Sequence, residues 1–142
     1  MVVYMAIDKN CGLMFNNRRQ SQDRVMRQQM LDDCQDRMLW IHEYSQKLFM
    51  PNDSSEFPAN IMVDNDFLNK ASEEDACFVE NCSIGEWMDK IDTVVLYKWN
   101  REYPADFFFD MSLLDDNWKK FSVNKFVGSS HDKIIKEVWK RA

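Results

Sequence analysis

At 142 residues the chain has the size of one domain, expected to span residues 1–142, and its 45% hydrophobic and 13% aromatic content is ample for a packed core, which excludes a disordered chain. A net charge of −6 argues against a broad nucleic-acid-binding face, because phosphate binding needs concentrated Lys and Arg, although a local basic patch is compatible with it. No apolar run approaches the roughly 20 residues that cross a bilayer, so no membrane partner is expected.

Val2 to Ile7 is an unbroken apolar run, the pattern of a strand buried on both faces. Asp8 and Lys9 follow at once, so the N-terminus reads as a first strand and not as an export signal. Asp8 to Gly12 carries turn chemistry, and residues 16–24 form a polar loop. A helix is predicted from Ser21, with Ser21 as cap, Asp23 at its positive end, and Val25, Met26 and Met30 on one side. Met38 to Ile41 reads as a second buried strand. His42 to Phe49 begins a helix that Pro51 ends, and 52–56 is a loop.

Further strands are predicted at 61–63, 77–79, 93–97, 107–109 and 119–123, with a helical turn over 84–88. The last segment places Ile134, Ile135, Val138 and Trp139 on one helical face, and Ser129 to Asp132 before them has the form of a capping box. A C-terminal helix is therefore predicted. The order of elements implies an α/β fold, a mixed and mainly parallel sheet flanked by helices. The cysteines at 11, 34, 77 and 82 lack the paired spacing and partners of a zinc site, and with no export signal they imply reduced thiols in a cytoplasmic setting.

Several segments resemble dihydrofolate reductases, in the order in which that family carries them. Ala6-Ile7-Asp8-Lys9-Asn10-Cys11-Gly12-Leu13 with Asn16-Asn17 is similar to the family's opening A-V-D-x-N-x-G-I-G-x-x-N. Asp23 resembles its pterin-binding acid, Leu39-Trp40-Ile41 with Ser45 the strand leading to its G-R-K-T turn, and Asn60 to Val63 its N-I-V strand. Ile91-Asp92 to Tyr97 and Ala105-Asp106-Phe107 resemble its V-D-x-x-x-x-T strand and G-D-T-x-F-P turn. The likeness covers residues 1 to about 127 and implies a dihydrofolate reductase-like fold with a catalytic acid at Asp23.

The same comparison marks losses at the cofactor site. His42-Glu43-Tyr44-Ser45 stands where G-R-K-T would hold phosphate, and Glu80-Asn81 where a Gly-Gly pair lets backbone approach the dinucleotide. Arg18 to Gln22 replaces the L-P-W-x-L-P loop, the helix after the fifth strand is largely missing, and Phe107 replaces the Thr that bonds the acid. No cofactor is expected, and NADPH-dependent reductase activity is a minor alternative. The segments 16–24 and 128–131 also resemble short sequences described as ribonuclease Z. That activity needs an H-x-H-x-D-H metal motif, and a chain whose two histidines are His42 and His131 has none.

Two polar clusters carry the candidate chemistry. Arg18, Arg19, Ser21 and Arg24 around Asp23 suit an anion or nucleotide at a helix start, against the plainer reading of a solvated loop and a cap. Ser129, Ser130 and His131 after Gly128 offer hydroxyls and a proton-transfer group, against an ordinary helix cap. The leading reading is a repurposed reductase-like protein that binds a nucleotide or other small anion without reductase activity. Alternatives are a metal-independent, ribonuclease-like enzyme cleaving phosphodiesters or nucleotides, short RNA being a possible partner, with His131 for proton transfer and Arg18 or Arg19 for charge stabilisation, and an acidic protein-interaction or inhibitor module. Asp23 is the catalytic acid only as the reductase resemblance implies it. Arg18, Arg19, Asp23 and the 129–131 turn are expected to converge on one face.

Overall fold

The computed structural model describes residues 1–50 and 58–142. Val2–Ile7 forms β1, which lies inside a seven-stranded sheet between Ala76–Phe78 (β6) and Thr93–Lys98 (β7), parallel to both. Leu39–Ile41 (β4) and Ile61–Val63 (β5) extend the parallel part, giving the order β5-β4-β6-β1-β7. Trp118–Phe126 (β9) and Ile134–Arg141 (β10) complete the sheet antiparallel to β7, in the order β7-β10-β9. The mixed, mainly parallel α/β sheet expected from the sequence is therefore present, with its first strand interior.

An interior strand must be apolar on both faces because packed layers cover each. In β1 the side chains of Val3, Met5 and Ile7 enter one core layer with Val94 and Leu96, whereas Tyr4 enters the other with Met26, Met30 and Tyr97. The helix Arg24–Asp33 (α1) buries Met26 and Met30 against that second layer.

A small sheet stands beside the main one: Gly12–Phe15 (β2), Arg18–Arg19 (β3) and Phe107–Phe108 (β8), in the order β3-β2-β8. Asn16 and Asn17, at φ 51° and 61°, form the two-residue turn that returns β3 antiparallel to β2. Two left-handed residues match the twist of a hairpin, and Asn tolerates that region better than most residues. This corrects the expectation that 16–24 is all loop.

The C-terminal helix is also corrected, since 134–141 is strand β10. Ile134 enters the α1 side of the core while Glu137 and Trp139 lie toward the other, an alternation that only a strand provides. Without β10 the buried strand β7 would be left with an open edge, a requirement no local pattern reveals. Glu137 is buried and pairs with Lys98 of β7 and Lys120 of β9. The segment 42–49 folds as a 3-10 helix over Glu43–Phe49, and the expectations at Pro51 and 52–56 fall outside the described residues. A short helix, Phe67–Lys70 (α2), follows β5.

Tyr97 is fully buried, and its hydroxyl has no hydrogen-bond partner among the described residues. A buried hydroxyl left unpaired costs about 1–3 kcal/mol. Tyr97→Phe is therefore expected to stabilise the protein by about 1 kcal/mol, seen as a rise of about 2–4 °C in melting temperature. A fall would show that the hydroxyl is satisfied.

Candidate functional site

The candidate site is built where the start of α1 meets the turn between β9 and β10. Asp23, not Ser21, is the N-cap of α1: its Oδ1 accepts from the backbone N–H of Val25 at 2.9 Å and Met26 at 3.1 Å. The same carboxylate reaches across to the turn. It accepts from the backbone N–H of Ser129 at 3.1 Å and Ser130 at 2.9 Å, and Oδ2 lies 3.1 Å from His131 Nδ1. Ser129 does cap a helix, but it is α1, since its Oγ accepts from the backbone N–H of Arg24 at 3.0 Å. One acid thus clamps two segments more than 100 residues apart in sequence.

Gly128 permits that approach. A Cβ at position 128 would stand 2.2 Å from Asp23 Oδ2 and 2.7 Å from its Cγ. Burial alone would push the Asp23 carboxyl up; the Ser130 N–H, the His131 ring and the N–H groups of Met26 and Ser129 outweigh it and hold the carboxyl well below the usual range.

His131 is buried, stacked on Trp99 with ring centroids 4.5 Å apart. Its Nε2 lies 3.0 Å from Ser21 Oγ and 3.1 Å from the Tyr103 hydroxyl. Asp8, at the end of β1, positions this side of the site. Its carboxylate accepts from the backbone N–H of Asn10, Gly12 and Tyr103 and from the Gln20 side chain. Burial opposes ionisation of Asp8, and these four donors, led by Gly12, lower its pKa nonetheless.

The structure therefore joins Ser21, Asp23, Ser129, Ser130 and His131 in one network, with Arg24 attached through its backbone. The arginine side chains go elsewhere. Arg19 is held by Glu80 in a two-pronged ion pair, Nε to Oε2 at 2.8 Å and Nη2 to Oε1 at 3.0 Å, and stacks over the Tyr44 ring. Ser45 Oγ donates to the same Glu80 at 2.6 Å. Arg19 is thus engaged within the chain, against the expectation that its guanidinium faces a ligand. Arg18 is exposed and lines a polar groove of about 500 Å³ with Asn16, Gln20 and Tyr103. His42 caps the 3-10 helix, its Nδ1 accepting from the Tyr44 N–H at 2.9 Å.

Two recesses flank the network. A hollow lined by Ala6, Ser21, Asp23, Met26, Phe78 and Trp99 measures about 10 Å³, the room of a single water. A far larger cleft of about 680 Å³ lies between α1 and the 3-10 helix, lined by Arg24, Arg27, Leu31, Leu48, Phe49 and Asn60. Arg27 and Leu48 line both. Arg27 is half-buried, burial pushes its guanidinium down, and among the described residues it makes no ion pair. The same residues hold no group of three or more potential metal ligands, and no helix is long and apolar enough to cross a membrane.

This is a dihydrofolate reductase-like fold. Dihydrofolate reductase from Enterococcus faecalis, in a structure complexed with NADP(H) and RAB-propyl, superposes with a TM-score of 0.65 over 99% of this chain and 95% of that one, at 12% identity. No protein-family model matches the chain, and no curated protein does. The likeness is one of fold and carries no activity with it.

A dinucleotide does not fit the residues present. The position expected to admit the cofactor's backbone approach carries Glu80, a nearly buried carboxylate locked to Arg19 and Ser45, whose negative charge would oppose a pyrophosphate there. The acid at Asp23 has its lone pairs taken by the 129–131 turn, and the hollow beside it has no room for a pterin ring. Calorimetric titration is therefore expected to show no micromolar binding of NADPH; a dissociation constant in that range would refute this account of Glu80.

Sequence reasoning missed Arg27, Trp99 and Tyr103. Arg27 stands one turn beyond Asp23 on α1, a spacing that was open to detection. Trp99 and Tyr103 are brought in only by the chain reversal after β7, which leaves no local signal.

Proposed function

We propose that the protein binds a small organic anion, a mononucleotide being one such ligand, in the cleft between α1 and the 3-10 helix, and that it is not a reductase. The observation that carries this reading is Arg27. It is a half-buried guanidinium with no ion pair among the described residues; the charge of Asp23 favours its ionised form, but burial outweighs that, so a bound anion would offset the cost. Leu31, Leu48 and Phe49 give the cleft an apolar floor beside two arginines, the usual composition of a small-molecule site. Arg24 is the second cation. Arg18 serves a separate groove, and Ser129 and Ser130 support the site by holding the start of α1.

A thermal-shift screen with mononucleotides and aromatic carboxylates tests the reading, since a ligand that binds only the folded state raises its melting temperature. Arg27→Ala is expected to weaken the best ligand about 10- to 100-fold, the worth of a hydrogen-bonded charge at about 1.5–3 kcal/mol. The melting temperature of the unliganded variant should stay within about 2 °C, because no ion pair is lost. If no anion in the panel shifts the wild type, or if Arg27→Ala leaves affinity unchanged, the cleft is not the binding site.

A further inference from the structure

We propose that Ser21, His131 and Asp23 form a nucleophile, base and positioning acid that take an acyl group from a small carboxylic ester, with Tyr103 as the donor to the oxyanion. The geometry is an unbroken chain from Asp23 Oδ2 to His131 Nδ1 at 3.1 Å and from His131 Nε2 to Ser21 Oγ at 3.0 Å. Asp23 is buried, ionised and saturated with donors, so it cannot give a proton; the hydrogen between them belongs to Nδ1. That tautomer turns the lone pair of Nε2 toward Ser21, the arrangement in which a histidine accepts a hydroxyl proton. Stacking on Trp99 and the Ser130 hydroxyl, 3.2 Å from Nδ1, restrict rotation of the ring.

A structural role for His131 would be met by one partner at Nε2. The structure supplies two, since the Tyr103 hydroxyl is 3.1 Å from the same nitrogen, and among the described residues neither hydroxyl has another partner. A neutral imidazole offers one lone pair there, so when Ser21 occupies it the Tyr103 O–H is left to donate elsewhere. The developing oxyanion of an acyl intermediate is such an acceptor, and tyrosine hydroxyls serve this purpose in oxyanion holes. Tyr103 also lines the polar groove of about 500 Å³ with Asn16, Arg18 and Gln20. Ser21 itself lines the water-sized hollow, so the acyl group that reaches it must be small, and the groove is where a leaving group with an anionic end would lie near Arg18.

The step balances without a cofactor. Ser21 Oγ bonds to the carbonyl carbon as its proton passes to His131 Nε2. The carbon–oxygen bond to the leaving group then breaks, and the alcohol departs with that proton. Water enters by the reverse assignment, giving the carboxylic acid and restoring Ser21.

The test is covalent. The full-length protein is incubated with an alkyl fluorophosphonate, in which Ser21 Oγ would displace fluoride from phosphorus, and the adduct is located by peptide mass spectrometry. One adduct is expected, on Ser21, absent from Ser21→Ala. Ser129 and Ser130, both exposed, act as internal controls for general hydroxyl reactivity. Turnover of p-nitrophenyl acetate should fall about 100-fold in kcat with little change in KM in Tyr103→Phe, the size of a lost oxyanion donor. The labelling rate of the wild type is expected to rise with pH, and in Asp23→Asn, measured where it is folded, that rise should disappear, which a purely structural acid would not cause. No adduct on Ser21, or equal labelling of Ser129 or Ser130, overturns the proposal. The cleft reading stands or falls separately, on ligand binding by Arg27→Ala.

Discussion

Asp23→Asn is expected to destabilise the protein by about 3–5 kcal/mol, a large share of the 5–15 kcal/mol that holds a domain of this kind together. The asparagine oxygen can still accept from Val25 and Met26. Its amide nitrogen then faces the Ser130 N–H and the Nδ1 hydrogen of His131, so donors meet a donor in a buried place. Urea denaturation would read the loss as a lower midpoint at similar slope. The pH dependence has a definite sign. The folded carboxyl lies below its unfolded value of about 3.9, so its contribution is complete above that pH and is lost as pH falls toward the folded value. The gap between wild type and Asp23→Asn should therefore be constant near neutrality and narrow below about pH 4. A difference under about 1 kcal/mol at pH 7 would mean that the clamp contributes little.

Gly128→Ala should cost about 3 kcal/mol, at the upper end of the effects of overpacking. The obstacle is space and not backbone conformation, because no glycine in the described residues has positive φ. The atoms that the new methyl would meet, at 2.2 and 2.7 Å, belong to the Asp23 carboxylate, which its own hydrogen bonds hold in place and which cannot swing aside as a surface side chain would. The turn must then retreat from α1, and His131 moves with it. Gly85 supplies the contrast: a Cβ there meets nothing closer than 3.6 Å, so Gly85→Ala should change stability by less than about 0.5 kcal/mol. Equal melting temperatures for the two variants would contradict the tight approach at position 128.

The sequence by itself determined the elements whose signal is local. A short apolar run bounded by turn residues fits an interior strand, and β1 is one; the β-branched and aromatic residues at 93–97 likewise form β7. The ordered likeness to the reductases, spread along most of the chain, carried the topology, because strand order is a property of the whole series. Ser21, Asp23, Ser129, Ser130 and His131 were all legible as polar groups in turns, though not as partners of one another.

Only the tertiary structure decided the rest. Ile134 to Trp139 satisfies a helical period, yet forms β10 because the open edge of β7, far away in sequence, needs hydrogen bonds that a helix could not supply. Arg19 reads as a free cation until the fold brings Glu80 beside it, 61 residues on. Asp23 reads as the acid of a reductase until the β9–β10 turn takes up its lone pairs. In each case the deciding partner is remote along the chain, and burial makes the cost of leaving a polar group unpaired larger than any local preference.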